Sequence, residues 1–373
     1  MESPQEPLTD REFGILERLA TGLSDQQIAD ELFLSLNTIK WHNRQIYGKL
    51  GVRNRIQAIA QARLLGLVDT EAAPSPPPFQ AQREPLGRDR PNPEQRVYFT
   101  RSFDGTQIAF GVVGDGPPLV KVANYMSHLE HDWNSPVWLH WLKELTRAHT
   151  LIHADERGCG LSDWDVADLS FEAWVHDLEA VVDAVGLNRF PLFAMSQACP
   201  VAVAYAARHP ERVSRMVLHG GYARGWLLRD LGEEQVEEED LLINLMRIGW
   251  GRENPAFRQV FAMQLFPEAT TDELRALETQ MRISLPPENA VRLEREMHRV
   301  DVRDLAAQVG APTLVMHSRQ DEAVPFAEGR LLAALVPNAR FVPLDSKNHL
   351  VTESEPAWPR LTDALRGFLS DDS

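Results

Sequence analysis

Three residues in the second half of the chain have the types and the order needed for nucleophilic catalysis. Ser196, Asp321 and His349 each follow a short apolar run. A serine hydroxyl becomes a nucleophile when a histidine takes its proton and a carboxylate holds that imidazole in one tautomer. Each residue alone is also common as a cap, a turn residue or a surface group. Their joint placement after three apolar runs predicts a Ser-Asp-His triad.

The elements that must position this triad are the strands of a sheet. From Val97 onward, short apolar runs alternate with helical patterns, which is typical of a mostly parallel sheet covered by helices. In such sheets, catalytic residues lie on loops at the carboxyl ends of the strands. We therefore expect the three side chains at one edge of the sheet. The predicted strands are PPLVKVA, HTLIHAD, FPLFAM, RMVLHGG, PTLVMHS and ARFVPLD.

Two further motifs in this region resemble the α/β-hydrolase family. The phrase DERGCGLSD at 155–163 resembles the D-x-R-G-x-G-x-S turn of that family, and HSRQDEAVP resembles its acid loop. The order Ser, Asp, His along the chain is also that of α/β-hydrolases. The resemblance implies an α/β-hydrolase domain over 97–373, with a helical cap over the pocket at about 222–309.

The sequence departs from this family around the nucleophile. The usual G-x-S-x-G turn has Ala194 and Ala198 in place of both glycines, so the strained turn must accommodate two methyl groups. Acyl transfer needs two backbone N–H donors for the oxyanion. The resemblance gives Gln197 as one donor and, because the family's His-Gly pair is replaced, leaves Tyr125 as the candidate for the other. These departures favour slow or absent hydrolysis.

A proline-rich segment precedes this domain. Seven prolines lie between Thr70 and Gln95 among few apolar residues, and such stretches favour an extended spacer. We therefore predict a linker over 70–96 and a separate domain over 1–69. The 373 residues also exceed what one hydrophobic core usually organises.

Capping signals in the N-terminal domain predict four short helices. A Ser, Thr or Asn followed three residues later by Glu or Gln satisfies backbone donors in both directions. Glycines are expected just beyond helix ends, where they accept a left-handed backbone. The predicted starts are Thr9 with Glu12, Ser24 with Gln27, Ser35, and Asn54 with Gln57, and the predicted ends of the first and last helices are Gly22 and Gly66.

The third predicted helix, 36–50, has an apolar face and a basic face. Between Leu32 and Val68 every charged residue is basic, although the formal net charge of the chain is −16. Such a face can reach bases and phosphates in a major groove. By composition alone, a small solvated bundle whose basic face binds nothing is an equal alternative. The apolar face carries Ile39, Ile46 and Leu50, and the opposite face carries Asn37, Lys40, Trp41, Arg44 and Gly48.

The segment from LTDREFGILERL to NRIQAIAQA resembles the LuxR-type helix-turn-helix over nearly its full length. This resemblance implies that Lys40, Trp41 and Arg44 enter the groove of double-stranded DNA, with Thr38 and Lys49 at the DNA backbone. For Trp41, packing against the neighbouring helix is an alternative. Domains of this type bind DNA as pairs, so a homodimer on two half-sites is implied as well.

Composition argues against several other classes of protein. No run approaches the roughly 18 to 20 apolar residues that cross a bilayer, and the first residues are acidic rather than signal-like, so we expect a cytoplasmic protein without a membrane partner. Cys159 and Cys199 are too few for a disulfide framework and are expected as free thiols. His128, His131 and Asp132 have a spacing that can serve a metal but lack an evident further ligand. We expect no metal or other cofactor.

Two functions from different classes fit these features. The favoured one is a DNA-binding transcriptional regulator whose hydrolase-like domain binds a small-molecule effector, with weak or no hydrolysis. The alternative is an active serine hydrolase of an ester, lactone or other acyl compound that also carries a DNA-binding domain. Turnover would destroy the signal that a regulator needs, so the altered nucleophile turn favours the first. A hydrolase with an inherited, inactive DNA-binding domain is disfavoured by the intact capping boxes and basic helix.

Overall fold

A computed structural model shows two main hydrophobic cores, one among the first helices and one in the larger domain that follows. The linker predicted over 70–96 falls almost wholly outside the described residues, and so do the predicted helix boundaries at Gly22, Ser24 and Asn54. The structure describes residues 8–20, 23, 25–32, 34–52, 55–68, 95–229 and 232–370.

The described part of the N-terminal domain is helical, and its capping follows the prediction where it can be followed. The Thr9 backbone N–H donates to Glu12 Oε2 at 2.7 Å, and the Glu12 N–H donates to Thr9 Oγ1 at 3.3 Å. The Ser35 side chain accepts from the Thr38 N–H at 3.1 Å, which confirms the predicted cap of the third helix. The helices are α1 (Asp10–Ala20), α2 (Asp25–Glu31), α3 (Leu36–Leu50) and α4 (Arg55–Leu64).

The larger domain is built on an eight-stranded sheet in the order β1-β2-β4-β3-β5-β6-β7-β8. The strands from β3 onward are mutually parallel, and all six predicted strands are confirmed. Sequence patterns did not predict β1 and β2, which pair antiparallel with each other and attach to β4. The bounds are β1 (Arg96–Arg101), β2 (Gln107–Val113), β3 (Pro118–Lys121), β4 (Thr150–Ala154), β5 (Phe190–Met195), β6 (Val213–His219), β7 (Thr313–Ser318) and β8 (Arg340–Leu344).

Helices cover this sheet, and four of the five α-helices described between β6 and β7 pack on one another as a separate group. That group, α8 to α11, lies within the range predicted for a cap. None of the helices in the described residues is long and apolar enough to cross a membrane. The helices are α5 (Leu139–Thr146), α6 (Phe171–Val185), α7 (Ala198–Arg208), α8 (Glu233–Gly249), α9 (Ala256–Leu265), α10 (Thr271–Ser284), α11 (Pro287–Met297), α12 (Arg303–Ala306), α13 (Phe326–Leu335) and α14 (Ala357–Leu369).

Candidate functional site

The three residues of the predicted triad follow β5, β7 and β8, and they meet at the carboxyl edge of the sheet. His349 Nδ1 lies 2.7 Å from Asp321 Oδ2, and both side chains are buried. Ser196 and His349 line the same cavity. His349 Nε2 is buried and has no hydrogen-bond partner among the described residues. The carboxylate therefore orients the imidazole, while its other nitrogen is left for a proton of Ser196 or of a ligand.

Asp321 is held as an anion by more groups than the sequence indicated. Its Oδ1 accepts from the backbone N–H groups of Ala323 and Val324 at 3.0 and 2.9 Å. His317, which points from the end of β7, brings Nε2 to 3.4 Å from Asp321 Oδ2. Burial alone would raise the pKa of Asp321, but the two histidines and these N–H groups hold it below its ordinary value. The acid of the triad is therefore ionised at neutral pH.

The turn at the nucleophile forms although both family glycines are alanines. Ser196 has φ 52°, the left-handed conformation of a strained strand-to-helix turn, and Ala194 and Ala198 beside it are fully buried. Close packing is provided by another glycine, because a Cβ on Gly221 would lie 2.3 Å from the Cβ of Cys199. The turn thus forms with both alanines in place, and the close approach of α7 to the chain after β6 is made at Gly221.

The two predicted oxyanion donors border the same cavity as Ser196. Gln197 is almost fully buried, and its side chain donates to Glu156 Oε2 at 3.1 Å. Burial raises the pKa of Glu156 to about 8, and the hydrogen bond from Gln197 opposes that rise. Tyr125 lines the cavity next to Met126, whose φ is 63°. Both residues line the cavity, and their role as oxyanion donors stays a prediction.

The cavity has a volume of about 360 Å³, which is the size range of small-molecule sites. Its walls are mainly aromatic and aliphatic, so it suits a ligand with an apolar body. Sequence reasoning named the tryptophans before the nucleophile, and Trp138 is the one among them that lines the cavity. Its aromatic lining residues are Tyr125, Trp138, Tyr222, Trp226, Trp250, Phe261 and Phe266.

A charged cluster of the cap also faces this cavity, and sequence reasoning missed it. His298 Nε2 lies 3.3 Å from Glu239 and 3.2 Å from Glu294. Burial alone would lower the pKa of His298, but the two carboxylates hold it above its ordinary value. Within the described residues this is the group with ligand atoms close enough to hold a metal ion. The two carboxylates share this one imidazole, which contacts both of them through the same Nε2.

The third helix presents its predicted basic face to solvent. Ile39 and Ile46 are fully buried, whereas Lys40, Trp41 and Arg44 are exposed. Trp41 is 54% exposed, and its ring lies 4.9 Å from that of His42. An indole so exposed is available to a groove. The three residues named for base contact thus share one accessible face.

The two residues named for the DNA backbone have partners inside the domain. The Thr38 hydroxyl lies 2.7 Å from that of Ser35 at the start of α3. Lys49 Nζ lies 2.8 Å from Glu12 Oε2 and ties α3 to α1. These contacts stabilise the helix that carries Lys40 and Arg44. Contact of Thr38 and Lys49 with phosphates stays a prediction.

Comparison with known families assigns both domains. Residues 6–62 match the model of bacterial regulatory proteins of the luxR family, and residues 129–356 match the model of the alpha/beta hydrolase fold. The second match covers more than half of the 373 residues. The chain belongs to the α/β-hydrolase family. It also carries a LuxR-type DNA-binding domain, so the fusion expected from the sequence is confirmed.

Individual relatives match one domain each. The nitrate/nitrite response regulator protein homolog of Haemophilus influenzae is 49% identical over 57 residues, which are 15% of this chain and 27% of that protein. Pyrrolizixenacetamide deacetylase of Xenorhabdus hominickii is 24% identical over 264 residues, or 70% of this chain and 94% of that protein. An esterase structure from Exiguobacterium antarcticum has a TM-score of 0.62 at 20% identity, covering 73% of this chain and 99% of that one. The esterase likeness shows the fold alone.

The segment 124–132 of the α/β-hydrolase domain, which we call the coupling loop, contacts the LuxR-type domain. Glu130 Oε1 accepts from Arg55 Nη1 at 3.2 Å. Arg55 is 4% exposed and also donates to the Leu19 and Leu23 carbonyls. Burial lowers the pKa of His128 to about 4, and the nearby ammonium of Lys40 acts in the same direction. The sequence did not predict this contact, because Arg55 and Glu130 are 75 positions apart and local patterns do not relate them.

Proposed function

We propose that this chain is a transcriptional regulator whose α/β-hydrolase domain binds a small-molecule effector with weak or no hydrolysis. In this proposal two copies of the chain bind two half-sites of double-stranded DNA through α3. The observation that carries the proposal is the coupling loop, which borders the ligand cavity at one end and contacts the DNA-binding domain near the other.

The coupling loop forms part of the cavity wall and is hydrogen-bonded to the cap. Asn124, Tyr125 and Met126 line the cavity. The side chain of Gln280, in α10 of the cap, donates to the Met126 carbonyl at 2.9 Å and to Asp132 at 2.8 Å. A change in the position of the cap is therefore transmitted to both ends of this loop.

The loop is also hydrogen-bonded to the segment that directly follows β4. The Leu129 N–H donates to both oxygens of Asp155, at 3.0 and 3.2 Å. Ser127 Oγ accepts from the Glu156 N–H at 3.0 Å. Glu130, next to this anchor, pairs with Arg55 of the DNA-binding domain. A ligand that binds one arrangement of loop and cap more tightly shifts the equilibrium toward that arrangement, and with it the placement of the DNA-binding domain. The size of the shift is set by the difference in the ligand's affinity for the two arrangements.

The proposal is tested with compounds found by binding rather than by turnover. A library of esters, lactones and amides is screened for compounds that raise the melting temperature of the full chain carrying Ser196→Ala. Operator DNA, selected from random duplexes, is then titrated with and without each compound. We expect bound compounds to change the operator affinity by about 5- to 150-fold, the usual range of allosteric coupling. Compounds that bind without changing the operator affinity would contradict the proposal.

The substitution Glu130→Gln tests the route of this coupling. It removes one charge of the pair with Arg55 and keeps the size of the side chain, so the cavity should bind the same compounds equally well. We expect the operator affinity of this variant to respond to them by less than about twofold, because a neutral amide holds the Arg55 guanidinium more weakly than a carboxylate does. Glu253→Gln makes the same charge change at an exposed site of the cap and should retain the full response. A full response in Glu130→Gln would exclude this route.

Active serine hydrolysis is the second candidate function, and the short hydrogen bond between His349 and Asp321 favours it. Under the main proposal we expect turnover of p-nitrophenyl butyrate below about 1 s⁻¹, the low end for ordinary enzymes. Among the described residues His349 Nε2 makes no hydrogen bond to Ser196, so the hydroxyl lacks the contact that would activate it before a substrate binds. A faster rate that falls by about 10³-fold or more in Ser196→Ala would establish the hydrolase instead.

A further inference from the structure

Arg229 is a cation in the wall of the cavity that has no counter-charge in contact with it among the described residues. It precedes α8, is half-buried, and lines the same cavity as Ser196. Its Nε is buried without a hydrogen-bond partner, and its guanidinium lies 5.7 Å from the ring centroid of Tyr222. Burial lowers the pKa of Arg229, yet a guanidinium remains protonated at neutral pH. A partly buried charge of this kind is stabilised by an anion.

The carboxylates nearest to Arg229 contact other cations. Glu239 and Glu294 flank His298 at 3.3 and 3.2 Å. Glu328 accepts from Arg224 at 3.2 Å and is buried. An anionic group of the ligand would give the Arg229 guanidinium a counter-charge without breaking these ion pairs.

We infer that Arg229 binds a carboxylate of the ligand, so that this cavity takes acyl compounds that carry a carboxylate. The inference rests on the proposed function, in which an acyl compound occupies the cavity beside Ser196. A guanidinium matches a carboxylate with two parallel N–H donors. A doubly charged phosphate would be repelled more strongly by Glu238 and Glu322, which are exposed at the edge of the cavity. The aromatic walls hold the apolar remainder of the compound.

Matched esters test this inference in the full chain carrying Ser196→Ala, which cannot consume them through Ser196. Monobenzyl glutarate and benzyl pentanoate have the same length and differ in a terminal carboxylate or methyl group. Calorimetry should give a Kd at least about tenfold lower for the carboxylate, because a hydrogen bond to a charged group is worth that much or more. A phosphonate of the same length, benzyl 4-phosphonobutanoate, should bind more weakly than the carboxylate.

The substitution Arg229→Gln should reduce the preference for the carboxylate to within about twofold and leave the Kd of benzyl pentanoate unchanged. Arg229→Lys, which keeps the charge, should retain part of the preference. The matched control is Arg252→Gln, whose guanidinium lies 5.4 Å from the ring centroid of Phe257, outside the cavity lining. It should keep the full preference. Melting temperatures of the variants within about 2 °C of each other exclude a folding defect.

Each failure of this experiment has a distinct meaning. Two results would overturn the role of Arg229 and leave the proposed effector site intact. One is equal affinity of the Ser196→Ala chain for the two esters, and the other is an unchanged preference for the carboxylate after Arg229→Gln is added. Tighter binding of the phosphonate would overturn the assignment of a carboxylate. Absence of binding by both esters at millimolar concentration would overturn the inference together with the acyl-compound site on which it rests.

Discussion

Replacing Lys40 and Arg44 together by Ala should lower the affinity for selected operator DNA by roughly two orders of magnitude or more, since each side chain that reads a base edge contributes about 1–3 kcal/mol. Both residues are exposed on the face of α3 opposite the buried Ile39 and Ile46. If they also neutralise phosphates, the slope of log affinity against log salt should fall by about two. Binding is measured by titration of the full chain across a salt series.

A matched variant separates this effect from a change in net charge. Arg101→Ala with Arg340→Ala removes two exposed cations from the α/β-hydrolase domain and leaves α3 untouched. Its operator affinity should stay within about threefold of wild type at physiological salt, where distant surface charges are screened. Selection that enriches no sequence, or equal affinities of the Lys40 and Arg44 variant and the wild type, would rule out the recognition helix.

Replacing Arg157 by Met should destabilise the α/β-hydrolase domain by about 3–5 kcal/mol, the usual loss when one partner of a buried ion pair is removed. Arg157 is fully buried and donates to both oxygens of Asp177, at 2.7 and 2.6 Å. It also donates to Asp104 at 2.9 Å and to the Asp168 carbonyl at 2.8 Å. Without the guanidinium, the buried Asp177 carboxylate loses its counter-charge. Urea unfolding at pH 7 measures the loss, with tryptophan fluorescence reporting mainly on this domain.

An exposed arginine provides the control for Arg157. Arg208 makes a similar two-pronged contact with Glu172, at 2.6 and 2.8 Å, but both side chains face solvent. We expect Arg208→Met to cost less than about 1 kcal/mol, because solvent screens the pair. Adding Asp177→Leu to Arg157→Met should recover part of the stability by removing the unpaired carboxylate. Equal losses in the two single variants would contradict the assignment of a buried ion pair.

Local sequence patterns predicted the elements that carry the chemistry because those elements are specified over short distances. Six apolar runs became β3 to β8, and α3 begins after Ser35 as its capping residue indicates. The triad was predicted from the placement of Ser196, Asp321 and His349 after three apolar runs, since the ends of parallel strands meet at one edge. In contrast, β1 and β2 were missed for different reasons: β1 is an edge strand with one buried residue, and β2 is an inner strand buried at most positions, so neither alternates like a half-buried strand.

The sequence by itself determined the two domains, the triad and the basic face of α3. Only the tertiary structure decided which cap residues face the cavity, because an amphipathic helix pattern does not distinguish a pocket from solvent. Arg229 and the His298 cluster therefore emerged from packing alone. The same holds for Arg55 and Glu130, which are distant in sequence and meet through the fold. Local sequence patterns predict the elements that carry chemical groups. Coupling between domains and recognition of a ligand depend instead on surfaces that only folding brings together.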